Sequence, residues 1–514
     1  MSKKTAWEKA AEAQGTTDSE RALARLARKA FLSLWIYPNV YSDEGKSAGK
    51  GDGKELVDLL VVFGTDVLLF SDKHCTFQSD VDIKVAWPRW YKRAIEKSAK
   101  QLAGAESFLR RFPDRVFVDK SCQIKLPVAL PEPSLARYFL IDVTRGGHEA
   151  AVRHFGGGSS GSLMLNNMLK GDTHYEHPFE VGFPLKGHRF VHVLDDVTVD
   201  ALLEELDTVP DLVDYLACKE RYFGEHGVFM HFAGEEELLA QYMCTMENGR
   251  HALPKVPSGA VVLPEGDWLF YRSSPQRAAK READQGSYMW DDLIEYQASF
   301  VRAGTAIGLP ETLPETIDHE RILRALAAEP RLARRELASD FRFVLSKSEP
   351  GKKFARMTLS GNNMSRAYVF LTAPKPPDVD YQAYREMRSA ALLAYCHGIK
   401  VRFSRVTEAI GIASEPFSEE VASQDFLYVD LTEEISPEES ALWKDTMEEL
   451  DVLQVPAKDV QYFGKKDHEF PIPFNFGGTK FYEYKSGAPM NRAERRRKAR
   501  EAQKASKKVD KRKR

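Results

Sequence analysis

The sequence predicts a multidomain α/β protein, and three observations carry that prediction. The chain has 514 residues, room for about three domains at roughly 150 residues each. Hydrophobic residues make up 43% and charged residues 29%, close to globular usage, which sets aside collagen-like, wholly disordered and membrane classes. Short apolar runs of strand character alternate along the chain with stretches whose apolar residues recur at helical spacing.

The elements follow in order. Met1–Lys4 and then Thr5-Ala6-Trp7-Glu8-Lys9 are charged where an export signal needs an apolar run, so the expected location is cytoplasmic. Leu23, Leu26, Ala27, Ala30, Phe31 and Leu34 share one helical face, which predicts a helix over Glu20–Trp35. Thr17 and Glu20 supply the S/T-x-x-E capping pattern at its start. Past Pro38, Asp43–Lys54 is too polar and glycine-rich to be an element. Leu56–Phe63 and Val67–Phe70 flank Gly64-Thr65 and read as a buried β-hairpin. A helix is expected from Pro88 to Leu109, with proline in its first turn.

Beyond Pro131 a second α/β region is expected, with strands at Tyr138–Val143, Phe190–Leu194, Val228–Phe232 and Val261–Tyr271 and helices at Val199–Leu206 and Glu235–Met243. Pro275–Gly286 is polar and basic, and the pattern to Ala338 is mostly helical, a connector. A third unit reads as strand Phe341–Leu345, strand Ala367–Leu371, helix Tyr381–Cys396 and strand Phe426–Leu431. The expected domains are therefore 1–130, 131–272, a connector 273–338, 339–486, and a disordered basic tail 487–514.

Charge sets that tail apart. Met490–Arg514 holds 13 Lys/Arg against 3 Asp/Glu, a local +10, whereas the first 489 residues hold 60 against 73, or −13. Such a block attracts polyanions through counterion release. The five cysteines, Cys75, Cys122, Cys218, Cys244 and Cys396, form no CxxC, which argues against a disulfide framework and a structural zinc site.

The chemistry concentrates in the hairpin. A loop at Gly64-Thr65 sets Asp58 opposite Ser71, and a loop at Thr65-Asp66 sets it opposite Lys73. Either register puts Asp58, Ser71 and Lys73 on one face and Asp72 on the other, because strand side chains alternate. An acid and a lysine so placed suit phosphodiester hydrolysis. The carboxylate holds a divalent metal that polarises phosphate and acidifies water, and the lysine orients that water or offsets charge on the phosphate oxygens. Mg²⁺ (or Mn²⁺) is the expected ion, since Mg²⁺ accepts one or two carboxylates and keeps several waters. The plainer alternative is a structural Asp–Lys pair on a hairpin.

Around these residues the first 110 or so positions resemble the PD-(D/E)xK nuclease superfamily, most closely its Mrr-like and NERD-like branches. There a helix with a glutamate precedes an acid-led strand, a hairpin, an acid-x-lysine strand and a helix with a glutamine; Glu20, Asp58, Ser71-Asp72-Lys73 and Gln101 match in that order. The resemblance implies a restriction-endonuclease-like N-terminal domain in which Asp58 ligates metal, Lys73 is the catalytic lysine, Glu20 an accessory acid and Gln101 a helper. Ser71 departs from the pattern at the acidic position, and Glu55 or Asp72 would have to supply the carboxylate. Bacterial proteins built this way often serve in restriction or defence against foreign DNA. A non-catalytic scaffold with a degraded nuclease fold is the rival reading.

Arg89, Lys92, Arg93, Lys97 and Lys100 form one basic stripe on the helix after the hairpin, and Lys46, Lys50 and Lys54 extend it in the glycine loop. The expected partner is DNA, with RNA the alternative; no membrane is expected, and a homo-oligomer is admissible. Other matches carry less. Gly156–Gly161, with Ser159, fits GxGxxG and GxSxG without a strand leading into it. His174-Tyr175-Glu176-His177 lacks further ligands nearby. Asp82-Ile83-Lys84 lies past the hairpin, and Asp119-Lys120 lacks the spacer.

Overall fold

A computed structural model describes residues 5–474 apart from 48, 50, 158, 188, 225–227, 248, 256–258, 307–318, 350, 417–422, 451 and 453–467. The basic tail lies outside the described residues. Helices and mixed sheets together make an α/β protein. Among the described residues no helix is long and apolar enough to cross a membrane, and no disulfide links the cysteines.

Two compact units divide the chain, one running to Ala278 and rejoined from Ile472, the other Ala279–Pro471. The first holds strands β1 (Ile36–Ser42), β2 (Lys54–Phe63), β3 (Asp66–His74), β4 (Val116–Phe117), β5 (Arg137–Arg145), β6 (Met164–Lys170), β7 (Glu180–Phe183), β8 (His192–Leu194), β9 (Phe229–Phe232), a small hairpin β10 (Met246–Glu247) and β11 (Arg250–His251), and β12 (Ala260–Leu263). Its main sheet has the order β4-β1-β2-β3-β5-β8, and a second sheet the order β12-β9-β6-β7.

The hairpin takes the first of the two registers. Leu59 pairs with Phe70 and Phe63 with Asp66, leaving Gly64-Thr65 as the loop. Gly64 has φ +60°, a conformation glycine adopts without penalty and hairpin turns require. The preceding helix, Asp18–Phe31, starts at Thr17, whose side chain accepts from the Glu20 backbone N–H. It ends before the expected Trp35 because Leu32 turns to φ +66°. β1 was hidden by Pro38, which pairs with Leu59. β4 reaches only Tyr41 and Ser42, so at Pro38 the strand is the sheet's edge and no N–H is needed there.

Two expected boundaries move. The helix after the hairpin begins at Ile83, not Pro88, capped by the Asp82 carboxylate accepting from the Lys84 N–H at 2.8 Å. Pro88 lies inside it, and the helix continues through a π turn at Lys92–Glu96 into Lys97–Arg111. β5 pairs in parallel with β3 from Asp66↔Arg137 to His74↔Arg145, so position 131 falls inside one sheet's connection rather than between domains. Parallel neighbours need a long crossover, and this helix provides it. Val261–Tyr271 is likewise split: the strand ends at Leu263, and Gly266 turns the chain into a short helix, Asp267–Arg272.

The second unit has one sheet, β13 (Phe354–Leu359), β14 (Arg366–Thr372), β15 (Glu408–Ser414) and β16 (Gln424–Asp430), in that order. Helix Tyr381–Arg402 crosses between parallel β14 and β15, packing Leu392 and Ile399 against Val369, Ala409 and Leu427. Phe341–Leu345, expected as a strand, lies within helix Arg331–Lys347. Ala333, Leu337, Phe341 and Val344 are buried, a spacing that continues one helical face.

Candidate active site on the hairpin

Asp58 projects from β2 beside β3, 5% exposed. Three donors converge on its Oδ2: the Asp72 backbone N–H at 2.6 Å, Lys73 Nζ at 3.1 Å and Ser71 Oγ at 3.2 Å. Oδ1 receives none of them. The carboxylate is thus held in one orientation by a hydroxyl, an amide and a cation. Lys73 keeps 29% of its side chain exposed against 6% for Asp58, so the lysine marks the open side of a buried acid.

A second group sits next to this one. Asn39, buried in β1 at φ +49°, donates through Nδ2 to Glu55 Oε1 at 2.7 Å and to Glu20 Oε2 at 3.1 Å. Glu20 Oε2 also accepts from Thr16 N and Oγ1. Burial pushes the Glu20 carboxyl up, but the bonds from Thr16 and Asn39 outweigh it and hold it below its usual range. Burial wins at Glu55: its carboxyl is raised despite the Asn39 bond, with the Asp58 and Glu20 charges adding to the rise and Lys73 opposing it. Tyr41, desolvated beside Glu55 and Glu20, is pushed up to about 12.

Other expected site residues fall elsewhere. Asp72 is turned to the opposite face of β3, where the Arg145 Nε lies 3.2 Å from both its oxygens. It therefore cannot replace the carboxylate missing at Ser71, because strand alternation carries it through the sheet. Gln101 Nε2 approaches the Leu56 carbonyl at 3.4 Å, and no hydrogen bond joins it to Asp58. Arg89, Lys92, Arg93, Lys97 and Lys100 are all exposed, on a helix whose Ala94, Ile95, Ser98, Ala99 and Leu102 are buried. Lys100 pairs with Glu96, and Lys54 with Glu44 at 3.0 Å. Lys50 lies outside the described residues.

Sequence reasoning missed Asp142. It stands on β5 level with Ser71, so Asp58, Ser71 and Asp142 form a row across three strands on one face. Asp142 is fully buried, and neither oxygen has a partner in hydrogen-bonding geometry. Burial raises its carboxyl well above the usual range; the Ser98 hydroxyl and Lys73 pull the other way, and Asp72 and Asp58 add to the rise. A lone acid inside Leu140-Ile141-Asp142-Val143 was the available signal.

Among the described residues no group of three His, Cys, Asp or Glu side chains is arranged to hold a metal ion. Mg²⁺ does not need such a cage, since one or two carboxylates with waters and substrate phosphates suffice. Asp58 fits that requirement, with one oxygen anchored and the other outside the anchoring bonds.

The weaker motifs resolve into structure. His174 is fully buried, its Nδ1 donating to the Gly171 carbonyl at 2.6 Å and its Nε2 accepting from the Gly182 N–H at 2.9 Å, so both nitrogens are committed to backbone. Ser159 Oγ donates to Glu265 in a loop after helix His148–His154, with no strand leading into it. Asp119 accepts from the Gln123 and Ile124 N–H groups in a turn. No family model, curated protein or solved structure matches the chain.

Proposed function

We propose that this protein is a metal-dependent nuclease of PD-(D/E)xK type that hydrolyses phosphodiester bonds in DNA, acting in the cytoplasm in defence against foreign DNA. The observation that carries the reading is Lys73 Nζ 3.1 Å from Asp58 Oδ2 at a buried, anchored carboxylate. The order of elements supports it: a helix with Glu20, a strand with Asp58, a strand with Lys73, and a helix with Gln101.

A bound Mg²⁺ or Mn²⁺ would polarise the scissile phosphate and lower the pKa of a water. Asp58 would hold that ion, and the Ser71 hydroxyl and Asp72 N–H keep its carboxylate from rotating away. Lys73, partly open to solvent, offsets charge that builds on the phosphate oxygens. The basic stripe from Arg89 to Lys97 follows the outer face of the helix packed on this sheet and suits a phosphate backbone.

Ser71 in the acidic position favours one rival, a DNA-binding protein that no longer cuts. Purified protein incubated with supercoiled plasmid in Mg²⁺, Mn²⁺ or EDTA separates the two. Cleavage that requires the ion supports the nuclease; plasmid bound but never cut in any ion overturns it.

A further inference from the structure

We propose that Asp142 is the second carboxylate of the cation site, doing from the neighbouring parallel strand what an acid at position 71 would do from β3. The inference rests on the nuclease reading for the identity of the ion. It is carried by geometry. Ser71 lies between Asp58 on β2 and Asp142 on β5, in register with Asp142 and hydrogen-bonded to Asp58. The two acids are thus separated by two strand spacings, roughly 10 Å at the backbone, with only a small serine side chain between them. Lys73 Nζ, 3.1 Å from Asp58 Oδ2, lies on the same face of β3 as Ser71.

The surroundings of Asp142 are those of a place that lacks its occupant. Thr144 Oγ1 and Tyr91 Oη are buried without hydrogen-bond partners, and neither Asp142 oxygen has a hydrogen bond of good geometry, although the Ser98 hydroxyl stands beside the carboxylate. Ser98 and Tyr91 come from the helix packed over the sheet, and Thr144 follows Asp142 on the same face of β5. A buried carboxyl with so few donors stays protonated unless a cation meets it. A divalent cation keeping part of its water shell would displace that proton and hold Asp142 ionised, and its waters would supply partners for the Thr144 and Tyr91 hydroxyls. Ser71 then leaves the site complete, because its carboxylate has moved one strand along.

The test is Mn²⁺ binding to the full-length protein, read by electron paramagnetic resonance alongside thermal melting and plasmid cleavage. Asp142→Asn should weaken Mn²⁺ binding by about 100-fold or more, beyond what loss of a merely supporting group brings. Asp142→Ser, run in parallel, secures a folded variant without the carboxylate. Adding Ser71→Asp to either should bring binding back to within about tenfold of the starting protein, which a structural role for Asp142 would not allow. Wild-type Mn²⁺ affinity in the folded Asp142 variants overturns the inference and leaves the nuclease reading standing. Mn²⁺ binding that depends on Asp142 without any cleavage supports the inference and removes that reading. A wild-type chain that binds no Mn²⁺ overturns both.

Discussion

Lys73 Nζ stands 3.1 Å from Asp58 Oδ2 across a hairpin closed by two residues, while the residue between Ser71 and Lys73, Asp72, faces Arg145 through the other side of the sheet. One strand therefore serves two purposes. Its Ser71 and Lys73 side belongs to the candidate site, and its Asp72 side belongs to the core.

Substitutions on the site side should reduce cleavage and spare the fold. Lys73→Ala removes a partly exposed side chain, so the thermal midpoint should move little while plasmid cleavage falls on the order of 10²-fold or more. Asp58→Asn should lose cleavage to the same extent. It is the better variant than Asp58→Ala, which orphans the Asp72 N–H and Ser71 Oγ at about 1–3 kcal/mol. Cleavage that persists in both Lys73→Ala and Asp58→Asn removes the assignment.

The core side should behave in the opposite way. Asp72 is fully buried against an Arg145 side chain only 15% exposed, and removing one member of a buried pair costs about 3–5 kcal/mol. Asp72→Ala should therefore lower the thermal midpoint by many degrees, yet the fraction that remains folded should bind Mn²⁺ as the wild type does. Loss of Mn²⁺ binding without loss of stability would instead make Asp72 a metal ligand.

What could be read in advance divides along the same line between local and long-range. The hairpin, its common face and the outward turn of Asp72 follow from alternation and a two-residue loop, both local. Asp82 as a helix cap and Glu20 as a partner of the Thr16–Thr17 turn were within reach of the same reasoning. Asp142 was not, because its level with Ser71 is set by parallel pairing across a helical crossover, and no local pattern specifies that register. β1 escaped because Pro38 signals a break, and only the shortness of β4 makes that proline tolerable. Phe341–Leu345 looked like a strand because Phe341, Val344 and Leu345 sit close together; the helical phase begins ten residues earlier, at Arg331.

A pH effect is expected away from the hairpin. Burial raises Glu236 to about 7, with Asp195 adding to it, and raises Glu237 to about 8, with Glu236 adding. Both groups are held above the 4.5 of an ordinary glutamate, so the folded state prefers them protonated. Their contribution to stability is fully present below pH 4.5 and is lost as pH rises through about 7 and about 8. Thermal midpoints measured between these limits should fall toward alkaline pH. Glu236→Gln should flatten that fall. A wild-type midpoint that is constant over the range contradicts it.

The basic stripe and the tail can be separated by their salt dependence. Among the described residues Arg89, Lys92, Arg93 and Lys97 are exposed and form no ion pair, whereas Lys100 is taken up by Glu96. Each phosphate contact contributes about −0.9 to the slope of log affinity against log salt on duplex DNA. Replacing those four by alanine should flatten the slope by up to about 4 and weaken binding evenly across sequences, without moving the thermal midpoint, since no buried side chain is removed. Deleting 490–514 takes away 13 basic residues and should also flatten the slope, but it should leave the cleavage of bound plasmid intact, because Asp58, Ser71 and Lys73 are retained. Binding measured at several salt concentrations for the two variants assigns the contacts. A slope unchanged by the four alanines means that the helix does not track the backbone, and the tail must then carry the electrostatic binding alone.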